Sequence, residues 1–157
     1  FMNSWKTLLA IAVIVPVVVA CANEETPSKA SESKVPDDGI TVVNGVERSE
    51  LALTMRDMYD QMKLVKDSLK AGVAVQTNYL ERYKRIHTDR ATEPEKIDEV
   101  YNGMATLFIS KYEAFEHAAE TNKVEAFNQM LDACLACHQH KCPGPVKAIK
   151  KLKLNAG

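Results

Sequence analysis

The chain has 157 residues, enough for one domain with processing segments and too few for two ordinary cores. Its 20 Lys and Arg against 21 Asp and Glu give a net charge of −1, so no basic excess points to nucleic acid as a partner.

From Met2 a polar start carrying Lys6 leads into an apolar run, Leu8 to Ala20, which is too short to span a bilayer comfortably. Residues 1–20 therefore read as a signal peptide. The run closes on Val18-Val19-Ala20-Cys21, the shape of a lipobox, which makes Cys21 the expected lipidation site and new N-terminus on a bacterial membrane. A plain cleaved signal or an uncleaved anchor are the competing readings, and a Cys directly after the small residue weighs against both. Residues 21–48 form the lipidated Cys, a tether and a lead-in. The tether, residues 22–39, is rich in Ser, Pro, Glu, Asp and Lys and has little to bury; as a coil it would reach about 20–30 Å. Ile40 to Val46 is a short apolar patch broken by the turn signal Asn44-Gly45.

Residues 49–157 carry the folded domain. From Ser49, Leu51, Met55, Met58, Met62, Val65 and Leu69 recur at steps of four and three, and Gly72 stands where a C-terminal cap belongs. A shorter stripe, Leu80, Tyr83 and His87, follows Asn78 and Glu81 in capping-box spacing. Thr92, Pro94 and Glu95 predict the start of a third helix through Ile97, Tyr101, Met104, Phe108, Tyr112, Phe115 and Ala119. Asn122 and Glu125 predict a fourth, with Val124, Phe127, Leu131, Cys134 and His138 on one face. It ends before Cys142-Pro143-Gly144-Pro145, beyond which lies a basic tail. Three long helices and one short one, with short connections, predict an all-α antiparallel four-helix bundle.

Cys134-Leu135-Ala136-Cys137-His138 is the attachment signature of c-type haem. Two cysteines at this spacing can form thioethers to the porphyrin vinyl groups while the next imidazole faces the iron. An exported protein is in the oxidising compartment that suits such attachment, and Cys134 and His138 fall on the apolar face. One covalent haem c is therefore expected, with Cys134 and Cys137 as thioethers and His138 as proximal ligand. Two other readings compete. Cys134, Cys137, His138, His140 and Cys142 could form a zinc cluster, but the helix would have to break after His138 to bring the last two around. A thioredoxin-like pair belongs beside a βαβ pattern, and none is present. No Met follows His138, so a methionine sixth ligand would come from upstream: Met55, Met58 or Met62, or Met104 or Met130, each of which is otherwise ordinary core filler. His87 and His117 are further ligand candidates, behind Met55.

With this C-terminal CxxCH motif and the first-helix segment Met55-Arg56-Asp57-Met58-Tyr59-Asp60-Gln61-Met62-Lys63, the chain resembles the cytochrome c′ family over Ser49 to His138. It looks closest to the lipoprotein members with a Cys soon after the motif. The resemblance implies a four-helix bundle and a first-helix residue facing the open side of the haem, a position that falls on Met55, with Met58 one turn away. The chain departs from the family in placing Cys142 where an Arg or Lys is usual.

These readings predict a single-haem electron carrier without catalytic residues, lipid-anchored in the periplasm or cell envelope. With His and Met on iron the site is filled and the potential raised. Without Met55 the iron would be five-coordinate and suited to nitric oxide or carbon monoxide. A zinc-stabilised binding lipoprotein is the alternative of another class. Lys141, Lys147, Lys150, Lys151 and Lys153 form a basic collar that would steer an acidic redox partner, or else a solvated tail. Cys142 is open to an intermolecular disulfide or to life as a buried thiol, and pairing of two bundles into a homodimer stays open.

Overall fold

The computed structural model describes residues 40–155. The expected signal peptide, the expected lipidation site Cys21 and the expected tether lie outside them. Among the described residues the fold is mostly helical, with one two-stranded sheet, and no helix is long and apolar enough to cross a membrane.

The lead-in is a β-hairpin. β1 (Ile40–Val43) pairs antiparallel with β2 (Val46–Ser49), Ile40 opposite Ser49 and Val43 opposite Val46. Asn44 and Gly45 both have positive φ, 52° and 75°, the two-residue turn whose twist matches a hairpin. The sequence marked the turn but not the strands. Ser49 ends β2 and caps α1 (Glu50–Ala71), its Oγ accepting from Ala52 N at 3.2 Å. Gly72, at φ 64°, closes α1 as expected, its N–H donating to Leu69 O.

The second predicted helix is a single turn, α2 (Leu80–Tyr83), running into a 3₁₀ turn at Lys84–His87. Tyr79, not Asn78, holds the cap position, with no side-chain bond. The third starts later than the capping-box pattern predicts. Pro94–Lys96 is a separate 3₁₀ turn, and α3 spans Glu99–His117 with Asp98 accepting from Tyr101 N at 2.8 Å. Thr92 is diverted to Ser49, Oγ to Oγ1 at 3.0 Å. Another 3₁₀ turn, Glu120–Asn122, leads into α4 (Lys123–Lys141), so Ala119 lies beyond α3 and Asn122 makes no side-chain cap. After Cys142-Pro143-Gly144-Pro145 the chain forms α5 (Val146–Lys150), and Ile149 and Leu152 are buried. The expected tail is therefore partly core.

α3 lies along α4, and α5 folds back on α4, while α1 packs most closely on β2 and the 3₁₀ turn after α2. The core between them is aromatic. Tyr83, Tyr112, Phe115 and Phe127 are fully buried, Tyr83 meets Tyr112 edge-on at 4.9 Å, and Phe115 and Phe127 lie 5.7 Å apart. Met62 and Met130 belong to this core. Space opens instead between the N-terminal half of α1 and the C-terminal end of α4.

Candidate haem site

Cys134, Cys137 and His138 occupy the last turns of α4, before Pro143 stops the helix. Steps of three and four set all three on one side of the helix. Cys134 and Cys137 are free, partly exposed thiols. Burial, and then the neighbouring Cys137, push the Cys134 thiol up to about 12; burial, then Cys142, raise Cys137. Neither is a poised nucleophile, so their reactivity must come from a partner brought to them.

A cavity of about 610 Å³ opens beside this turn, within the size range of cofactor clefts. Leu51, Met55, Tyr59, Ile97, Tyr101, Cys137, His138 and Ile149 line it, with charged side chains at its rim. A smaller cavity of about 40 Å³ runs under the same turn, between Met55, Met58, Met104, Cys134 and His138. Met55 thus lines both spaces with His138, and Met58 only the smaller. Met62 and Met130 line neither. His87, His117 and His140 are exposed and line neither of the two cavities.

His138 is 9% exposed, and burial lowers its pKa, which favours the neutral imidazole that binds metal. Its Nδ1 lies 3.2 Å from the main-chain oxygen of Cys142 and 3.2 Å from Cys142 Sγ. A carbonyl only accepts, so Nδ1 is the donor in that bond. A neutral ring then keeps its lone pair on Nε2, for which the described residues supply no hydrogen bond. A ligating histidine needs this division of roles, one nitrogen fixed by a carbonyl and the other left for metal. Cys142 is itself exposed, not a buried thiol.

Tyr101 closes the inner wall. Its hydroxyl donates to Ile86 O at 2.7 Å, and burial, followed by Cys137 and Cys142, raises its pKa. The segment leading to cavity-lining Ala91 and Thr92 is tied to α1 by Leu51 N donating to Arg90 O and Arg90 N donating to Glu50. Two free thiols on a helical turn, a tautomer-fixed neutral imidazole and a mainly apolar cleft fit a covalently held haem. Among the described residues no three His, Cys, Asp or Glu side chains are grouped to hold a metal ion by themselves, so the zinc reading gains no support.

No family model matches the chain, and no curated protein or solved structure matches it.

Of the basic collar, Lys141 binds Asp98 at 2.6 Å and Lys153 binds Asp132 at 2.6 Å. Lys147, Lys150 and Lys151 remain exposed. The Cys142 carbonyl escaped sequence reasoning because a main-chain acceptor has no residue signature. Arg48, also on the cavity wall, carried no motif, and Arg56 entered only as part of the first-helix segment, with no role of its own.

Proposed function

We propose that the chain is a one-haem c-type cytochrome that passes single electrons, tethered through lipid at Cys21 on the periplasmic side of a bacterial membrane. Cys134 and Cys137 would hold the haem, His138 would be its proximal ligand, and Met55 its distal one. The observation that carries the reading is His138: buried, anchored at Nδ1 by Cys142 O, and facing the cavity that Cys137 and Met55 share. The fold proposed is the four-helix bundle of cytochrome c′, with α2 and its 3₁₀ turn as the short member.

Bound haem would supply a one-electron couple. The chain's own part is to exclude water and orient the axial groups. The Cys142 carbonyl fixes the His138 ring plane and raises its basicity. Leu51, Ile97, Tyr101 and Ile149 keep the cleft apolar, and Met55, on the long helix α1, lines the same cleft as His138. A thioether from Met55 would fill the sixth position and raise the potential, which suits transfer over gas binding.

Visible absorption of the purified holoprotein tests the reading. Expected are a Soret band and, in the ferric state, the weak red band of methionine sulfur on iron, lost in Met55→Ala. A high-spin ferric spectrum in the unmodified protein would instead favour the open, gas-binding site. Retention of the red band in Met55→Ala would transfer the role to Met58.

A further inference from the structure

The large cavity has four cations in its lining, Arg48, Arg56, Lys96 and Lys141, and two carboxylates, Asp60 and Glu93. Lys96 is taken by Glu93 at 2.7 Å, Lys141 by Asp98 at 2.6 Å, and Asp60 faces Lys63 at 3.8 Å. Arg48 and Arg56 are left with no acidic partner among the described residues. Arg56 is exposed on α1, but Arg48 is half-buried, and its side chain lines a second cavity as well. A guanidinium stays charged at any physiological pH, and drawing it out of water without a counter-ion is costly. A half-buried, unpaired Arg on the wall of a cleft is therefore a place prepared for an anion.

Arg48 is not on a loose arm. It sits on β2 opposite Thr41, next to buried Ser49, which both caps α1 and bonds Thr92. The hairpin holds one guanidinium at the rim and the first turns of α1 hold the other. The planar fork of Arg matches a carboxylate with two parallel hydrogen bonds. Haem carries two carboxylates, on adjacent side chains along one edge of an otherwise apolar disc.

We propose that Arg48 and Arg56 form a two-pronged clamp for the propionates of the haem attached at Cys134 and Cys137. The clamp rests on the haem reading and adds to it a direction: the propionate edge lies toward the hairpin and α1, and the opposite edge toward the thioether turn of α4. It also gives the hairpin a task beyond leading the tether into the domain.

The full chain, produced without haem-attachment machinery, is titrated with haem and with haem dimethyl ester, which has the same iron and ring but no acid groups. The double variant R48Q/R56Q is expected to bind the diacid about tenfold more weakly and the diester unchanged. R48K/R56K should keep most of the preference for the diacid. Equal loss for both ligands with unchanged far-UV circular dichroism, or no loss for either, overturns the clamp and leaves the haem reading standing. Failure of the unmodified chain to bind either ligand overturns the clamp, while the presence or absence of one haem in the intact mass of the chain made with the attachment machinery decides the haem reading separately. If the double Gln variant loses helicity, Arg56→Gln alone and the Lys pair carry the same comparison, with a diester-independent loss again counting against the clamp.

Discussion

Lys123 is the first residue of α4 and is only 7% exposed. Its Nζ donates to the carbonyls of Phe115 and Glu116, both at 3.2 Å, and lies 5.4 Å from the Phe115 ring centre. It therefore neutralises the negative end of α3 and clips that end to the start of α4. Replacing it with Ala removes two charge-assisted bonds, each worth at most about 1.5–3 kcal/mol, and the stem that packs on Phe115. Release of the ordered side chain returns about 2 kcal/mol of rotamer entropy. The net loss expected for Lys123→Ala is about 2–3 kcal/mol, a melting-temperature drop of about 10 °C for a domain of this size. Lys123→Met keeps the stem and should lose less than the Ala variant, the difference between the two belonging to the packing on Phe115. Urea unfolding followed by far-UV circular dichroism measures both. About eleven residues of helix, roughly 16 Å, separate Lys123 from Cys134, so the spectrum of the proposed haem should not move. A loss below about 0.5 kcal/mol in the Ala variant would refute the clip, since surface substitutions give that much.

Asp98 caps α3, and Lys141, with a further contribution from Tyr101 N–H, holds its carboxyl below the usual range. A depressed carboxyl stabilises the fold above its unfolded pKa, near 3.8, and that contribution is lost as pH falls through the folded value. Asp98→Asn should therefore flatten the acid limb of a stability–pH profile below about pH 5 and leave the slope near neutrality unchanged. The Tyr112 hydroxyl donates to Thr77 O at 2.6 Å and accepts from Tyr79 N at 3.3 Å, joining α3 to the segment before α2. Tyr112→Phe should cost about 1–2 kcal/mol in denaturant unfolding, with hydrogen exchange around Thr77 to Tyr79 accelerated.

Legibility followed the range of the interactions involved. α1 was readable because its stripe and Gly72 are local signals, and the structure uses both. The start of α3 was misread because Thr92 and Glu95 have capping-box spacing, yet the Thr92 hydroxyl goes to Ser49, 43 residues earlier, and Asp98 takes the cap. Propensity is local, and a tertiary bond outbid it. The hairpin announced its turn, but ITVV lacks the alternation of a half-buried strand and so did not announce strands. Ile149 and Leu152 were masked by the lysines around them, since their three-residue step is too short a pattern to stand out from a basic tail. At the site, Cys134, Cys137 and His138 were legible as a contiguous motif. Met55 could be named as a candidate, but that it lines the same two cavities as His138 comes only from the tertiary arrangement. The unpaired state of Arg48 and Arg56 is a fact about every acidic residue nearby, which no single stretch of sequence contains.

The central claim is that Cys134 and Cys137 carry a haem. Intact mass measurement of the mature protein, made in a host that assembles such cofactors, tests it most directly. The account predicts the mass of one haem added to the polypeptide, resistant to acid–acetone extraction and absent when both cysteines are replaced by Ala. A colourless protein at the bare polypeptide mass, with Cys134 and Cys137 open to alkylation, would contradict it.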